Sequence, residues 1–197
     1  TNLEIYGQIP PHYQFIREFF KDTKEFDINA TNIAYFDIEV SSLTKEDRFY
    51  GFPEAHIAPI PIVSIAVYSS LHKKILVLGF KDYTPDKALF PDMDIDYIKC
   101  HDEEELLEIF FSYLTTPKTR PDILYGWNSN SFDIPYIYNR AKQIGGDKFI
   151  NKLSPVGNVY AVNAMKRVFG QNQGYLKYNI TGIPHLDMMD VYRKFSG

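Results

Sequence analysis

Two carboxylates interrupt what otherwise reads as a buried strand: Ile33-Ala34-Tyr35-Phe36-Asp37-Ile38-Glu39-Val40 sets Asp37 and Glu39 two residues apart. Positions i and i+2 of a strand project from one face about 7 Å apart, so both side chains enter the same space. Their negative charges repel unless a proton or a cation lies between them. Hard divalent cations such as Mg²⁺ or Mn²⁺ take oxygen donors of this kind. An edge strand whose solvated face happens to carry two acids is the alternative, and the spacing alone leaves both open.

A third carboxylate, Asp133, stands in Asp122-Ile123-Leu124-Tyr125-Gly126-Trp127-Asn128-Ser129-Asn130-Ser131-Phe132-Asp133-Ile134-Pro135. This stretch has the grammar of strand, polar turn and helix, with Pro135 suited to a helix's first turn. Asp133 is therefore a candidate N-cap as well as a candidate metal ligand. Asn128 and Phe132 add an amide and an exposed-looking aromatic that capping does not require.

Phe36-Asp37-Ile38-Glu39 and Asn128-Ser129-Asn130-Ser131-Phe132-Asp133 resemble the first and second exonuclease motifs of the family B DNA polymerases, proofreading relatives of the DEDD exonucleases. Tyr125-Gly126-Trp127-Asn128, Ile134-Pro135-Tyr136-Ile137, Asn139-Arg140 and Leu153-Ser154-Pro155-Val156-Gly157 are similar in wording to the replicative polymerases of large tailed phages. Leu186-Asp187 and Asp190-Val191-Tyr192-Arg193-Lys194-Phe195 continue the likeness, which runs from Tyr6-Gly7 to Phe195. The resemblance implies a 3′-5′ exonuclease using two divalent cations, Mg²⁺ or Mn²⁺. Asp37 would bridge both ions, Glu39 would hold the ion that activates water, and Asp133 would hold the second. Ile38 and Phe132 would contact the terminal nucleotides and Asn128 would position the strand. Implied partners are the single-stranded 3′ end of primer DNA, the remainder of a polymerase chain and, through it, a sliding clamp and other replisome proteins. The implied location is the cytoplasm, the host's for a phage protein.

With 197 residues, 45% of them hydrophobic, the chain is long enough for one sizeable core and too short for a complete polymerase. Thr1 stands where a methionine would open a gene, so an excised piece is expected. Cys100 is the only cysteine, which excludes an intramolecular disulfide and a cysteine-rich zinc site. There is no apolar run approaching a membrane span and no signal-peptide pattern. The formal charge of −4 hides an asymmetry: residues 133–197 hold nine basic and four acidic side chains, residues 1–132 twelve basic and twenty-one acidic. Arg140, Lys142, Lys148, Lys152, Lys166, Arg167 and Lys177 either line a path for a phosphate backbone or are scattered solubilising charges.

The elements that must position the acids follow from periodicity. Phe15, Ile16, Phe19 and Phe20 form a stripe that suits a short helix packed on the core. A strand over about 32–40 is followed by a polar, proline-containing loop over 41–60, then strands at 62–68 and 74–80 joined as a hairpin, and a short strand near Tyr97–Cys100. Asp102 with Glu105 starts a strong helix like a capping box, which explains the acids of 102–105 better than metal binding does. A strand over 122–127 and a helix over 134–144, ended by Gly145-Gly146, complete the order of an α/β, ribonuclease-H-like (DEDD exonuclease) mixed sheet flanked by helices. Val159, Tyr160 and Val162, then Gly170 to Gly174, then Tyr175, Leu176, Tyr178 and Ile180 predict an inserted β-hairpin over about 159–184. In the family such a hairpin helps separate primer from template. Tyr175 and Tyr178 taken individually read as ordinary strand residues. The expected organisation is an N-terminal lead-in, 1–30, and an exonuclease domain, 31–197.

The sequence departs from the family in one respect. A third motif, Tyr-x-x-x-Asp, supplies the fourth carboxylate in these enzymes, and it occurs nowhere in the 197 residues. His185 and Asp190 have the spacing of the histidine-type DEDD enzymes, but His185-Leu186-Asp187 fits a strand better. Three functions follow: a proofreading exonuclease, a catalytically incomplete DNA-binding and strand-partitioning fragment, or another ribonuclease-H-like nuclease.

Overall fold

The computed structural model describes residues 10–23, 25, 27–41, 53–86, 88–168 and 171–196, the side chains of 166–168 excepted. Tyr6, Gly7 and Gly170 therefore lie outside the described residues, as do the side chains of Lys166 and Arg167. The chain divides into two units after Ala30. In the first, Pro11–Phe19 form helix α1, with proline at the start where its missing N–H costs nothing. None of its residues is buried within that unit's helix. Within the helix the Phe15 and Phe19 rings stack at 4.3 Å.

The second unit is built on β1 (Ile33–Val40), β2 (Ile62–Ser69), β3 (Lys74–Gly79), β4 (Asp94–Lys99), β5 (Ile123–Gly126) and β8 (His185–Asp187), in the order β4-β3-β2-β1-β5-β8. Antiparallel pairs join β1 to β2 and β2 to β3, while β3–β4, β1–β5 and β5–β8 run parallel. Helices α2 (Glu103–Thr115) and α3 (Asp133–Ile150) flank this mixed sheet, and α4 (Met188–Phe195) follows β8. This is the ribonuclease-H-like arrangement expected from the order of elements. A separate two-stranded ribbon, β6 (Val159–Val168) and β7 (Gln171–Ile180), occupies the place of the expected hairpin insertion. Its pairing continues to Val168 opposite Gln171, so Gln171–Gly174 lie in strand rather than in the turn their composition suggested.

Period-two alternation explains how β1 serves core and site at once. Ala34, Phe36 and Ile38 are buried, whereas Tyr35, Asp37 and Glu39 are exposed on the other face. Phe36 stacks toward Phe110 of α2 at 6.1 Å, and Leu106, Leu107, Phe110, Phe111 and Leu114 complete the buried face of that helix. Each such side chain contributes about 1.5–3 kcal/mol relative to exposure. Buried Asn32 anchors the start of β1: its N–H donates to Asp122 Oδ2 at 2.8 Å, and its amide donates to the carbonyls of Thr119 and Arg120. A bulge between Glu39 and Val40 ends the regular pairing of β1 with β2, re-aiming the strand just past the second carboxylate.

Helix α2 starts as expected, with Asp102 as N-cap accepting from the Glu105 N–H at 2.9 Å. Glu103 departs from the helix-terminus explanation. Its carboxylate accepts from the Ile62 N–H at 2.8 Å and from both Nε and Nη2 of Arg140, making a part-buried pair between α2 and α3. Gly145-Gly146 interrupt α3 where an end was expected, with Gly146 at φ 65, but the chain resumes its helix as far as Ile150. Any Cβ on Gly145 would lie 2.5 Å from Cβ of Phe149, so the kink needs glycine there for closeness as well as freedom.

Candidate active site

Strand β5 is short. It pairs with β1 only as far as Tyr35 opposite Tyr125 and ends at Gly126, so the β1 backbone runs on beyond its neighbour. An unpaired N–H at that edge must find another acceptor. Asp133 provides it: Oδ1 accepts from the Ile38 N–H at 3.3 Å. Phe132, not Asp133, is the N-cap of α3, and Asp133 is its first helical residue. The side chain turns to β1 instead, directly beside the residue that follows Asp37.

Burial and charge act together on this pair. Asp133 is only 4% exposed, and burial first, then the negative charges of Asp37 and Asp187, push its pKa up to about 7. Asp37 is also shifted upward, chiefly by partial burial. Among the described residues no three acidic, histidine or cysteine side chains are drawn into one metal-ligating group. Asp133 and Asp37 lie close enough to repel, while Glu39 shares the exposed face of β1 with Asp37 on a longer, solvated side chain. Like charges without a counter-ion have no reason to close further. The donor chemistry nevertheless fits a hard dication, since every group is a carboxylate oxygen.

The other residues singled out in sequence divide. Ile38 is 5% exposed and its side chain belongs to the core, so its place in the site is its backbone N–H rather than a surface for nucleotides. Alternation dictates this, because residues 37 and 38 of one strand face opposite ways. Phe132 is half-buried rather than exposed, with its ring 5.3 Å from Tyr136. Asn128 is half-buried at φ 58, a left-handed conformation that asparagine tolerates better than most residues. Gly126 is required by proximity: a Cβ there would sit 2.5 Å from that of Ser129 and 3.0 Å from the Phe36 ring.

The expected basic path loses members. Arg140 is committed to Glu103, Lys142 pairs with Asp147 at 3.2 Å, and Lys152 pairs with Glu108 at 2.6 Å. His185 and Asp190 do not form the histidine-type motif. His185 Nε2 bonds Ser129 Oγ at 2.8 Å and burial lowers its pKa to about 4, while Asp190 accepts from the Asn130 amide at 3.1 Å. Asp187, not among the candidates from sequence, is 3% exposed and accepts from the backbone N–H groups of Asn128, Asn130 and Met189 at 2.9 Å each. Its signal in sequence was an Asp ahead of an amphipathic helix, which reads as an ordinary N-cap. A groove of about 1150 Å³ between α2 and the β3–β4 edge, lined by His72, Lys74, Ile98 and Tyr113 among others, borders none of Asp37, Glu39, Asp133 and Asp187.

A mixed sheet with two acids on its central strand and a buried Asp at the start of the helix after the next parallel strand has the ribonuclease-H-like arrangement. Residues 14–196 match the DNA polymerase family B exonuclease domain, and the chain belongs to that family. It is 29% identical to the DNA-directed DNA polymerase of Escherichia phage RB69 over 98% of its own length and 22% of that protein's. It is 30% identical to the DNA-directed DNA polymerase of Enterobacteria phage T4 over 87% of this chain and 17% of the relative. The DNA polymerase delta catalytic subunit of Candida albicans is 30% identical over 82% of this chain and 15% of its own length. The chain thus spans about a fifth of the length of the phage relatives it matches. Among the described residues no helix is long and apolar enough to cross a membrane.

Proposed function

We propose that this chain is the proofreading module of a DNA polymerase, removing the 3′-terminal nucleotide of single-stranded DNA by hydrolysis at a site holding two divalent cations, Mg²⁺ or Mn²⁺. The observation that carries this reading is the meeting of Asp133 with Asp37 at the β1 edge, in a chain of the family B exonuclease domain. Asp37, Glu39 and Asp133 would hold the cations, which when bound supply charge to stabilise the phosphorane-like transition state and to acidify water. Asp133 offers its second oxygen to that site while Ile38 N–H fixes the first. Glu39, with its side chain in solvent, is suited to orient water. Asn128 and Phe132 flank the approach, where an unpaired end arrives more cheaply than a paired one, whose extraction costs unstacking energy.

The paired strands β6–β7 are suited to strand partitioning, residues 31–197 to the exonuclease domain and 1–30 to a lead-in. The remaining partners under this proposal are the rest of a polymerase chain and, through it, a sliding clamp, in a cytoplasmic replisome. The absence of Tyr-x-x-x-Asp from the sequence favours a second reading for the chain by itself, a DNA-binding piece that cuts weakly. The test is degradation of 3′-labelled single-stranded and 3′-recessed oligonucleotides with Mg²⁺, beside a circular substrate. Mononucleotide release from linear DNA, lost in Asp37→Ala and Asp133→Ala, is expected; cutting of the circle would refute the exonuclease reading.

A further inference from the structure

Three consecutive residues of the turn between β5 and α3 are each held by one short segment, residues 185–190. Asn128 N–H donates to Asp187 Oδ1, Ser129 Oγ bonds His185 Nε2, and Asn130 donates its backbone N–H to Asp187 Oδ2 and its side-chain amide to Asp190. The inner side of the same turn is wired to the helix that carries Asp133. The Asn128 carbonyl accepts from Ser131 and Phe132, and the Ser129 carbonyl accepts from Ile134 at 3.0 Å. We infer that Asp187 is a positioning residue for the nuclease site, fixing through Asn128 and Asn130 the turn that delivers Asp133 to the Ile38 N–H.

A plain N-cap needs only the Met189 N–H, yet this carboxylate also takes two donors from a turn 57 and 59 residues away in sequence. Charge-assisted bonds of this kind are about twice as strong as neutral ones. They have a conformation to hold, since the left-handed backbone at Asn128 is costly for an L residue. A displacement at 128–130 passes into the first turn of α3 and carries the Asp133 carboxylate with it. Ligand sites depend steeply on such support: loss of an outer partner costs about 10–100-fold in metal affinity.

The inference rests on the proposed metal-binding role of Asp37 and Asp133, so its test keeps the two apart. Amide hydrogen exchange at Ile38, Asn128 and Asn130 is measured by NMR in the metal-free 197-residue chain, free Mn²⁺ is counted by EPR, and melting is followed by circular dichroism. Asp187→Asn, which with its oxygen kept toward Asn128 and Met189 sets an NH₂ against the Asn130 N–H, is compared with Glu103→Gln, which weakens a part-buried ion pair elsewhere. Asp187→Asn should speed Ile38 exchange at least about tenfold and weaken Mn²⁺ binding by about 10–100-fold. Glu103→Gln should lower the melting temperature with both readouts at wild-type values. If Asp187→Asn melts earlier but leaves Ile38 exchange and Mn²⁺ affinity unchanged, Asp187 is only a cap and the inference fails. If Asp37→Ala binds Mn²⁺ as wild type does, the metal reading fails, and the Ile38 amide still judges the turn. Should Asp187→Asn not fold, Asp187→Ser, which leaves a single short acceptor in place of the carboxylate's two oxygens, replaces it, and unchanged Ile38 exchange in that variant overturns the inference.

Discussion

Asp133→Asn tests the electrostatics of the site most directly. In the metal-free fold the Asp133 pKa stands at about 7, against 3.8 for the free side chain, because burial and the charges of Asp37 and Asp187 disfavour its anion. Below about pH 4 the carboxyl is protonated in both folded and unfolded chains, and there is no effect. Between about pH 4 and pH 7 the unfolded chain releases a proton that the folded chain keeps, so stability falls as pH rises, and the full penalty is in place above pH 7. Raising a pKa from 3.8 to about 7 makes ionisation in the folded chain about a thousandfold less favourable, a penalty of about 4 kcal/mol. That is a large part of the roughly 5–15 kcal/mol that stabilises an ordinary domain. Asparagine retains the oxygen that accepts from Ile38 N–H and has no charge to bury. Relative to wild type, Asp133→Asn should therefore gain up to about 4 kcal/mol on going from about pH 4 to pH 8, a melting difference of about 10 °C for a chain of this size. Urea unfolding of both proteins in EDTA across that range measures it. A difference that stays flat with pH, or wild type gaining stability relative to the variant as pH rises, would show that Asp133 does not sit buried against a negative neighbour. With Mn²⁺ present the order should reverse above about pH 7, since the cation restores the charge that Asp133 lacks.

The same carboxylates predict a weak, metal-dependent rise in melting temperature with Mn²⁺ or Mg²⁺ that Asp37→Ala abolishes; a rise surviving that substitution would remove Asp37 from the site. Arg140→Ala leaves the part-buried Glu103 carboxylate with only the Ile62 N–H, which should cost about 1.5–3 kcal/mol in denaturant unfolding. Because Arg140 is committed to that pair, the affinity of the folded variant for single-stranded oligonucleotides should be unchanged in a polarisation assay. A chain extended to include Tyr-x-x-x-Asp should degrade single-stranded DNA from the 3′ end orders of magnitude faster than the 197-residue chain, because a fourth carboxylate and an orienting hydroxyl both act on positioning. Vigorous degradation by the 197-residue chain, lost in His185→Ala or Asp190→Ala, would refute that expectation and reinstate those two residues as the missing motif.

Residue order alone determined the alternation of β1, the turn before α3 and the capped start of α2, because each depends on neighbours within a few positions. Asp37 and Glu39 share a face for that reason, and Ile38 is buried for the same one. Which partner each charged group would find was decided only in three dimensions. Asp133 reads as an N-cap locally, but β5 ends early and leaves the Ile38 N–H to be satisfied, and that donor lies 95 residues away in the chain. Arg140 reads as a phosphate ligand until the packing of α2 on α3 brings Glu103 to it. Asp187 reads as the end of a short strand until the parallel pairing of β5 with β8 sets it opposite Gly126, where it accepts from the Asn128 N–H. Periodicity records which way a side chain points relative to its own element. Hydrogen bonds and burial between elements depend on where each strand stops and which helix crosses it, and no local pattern encodes that.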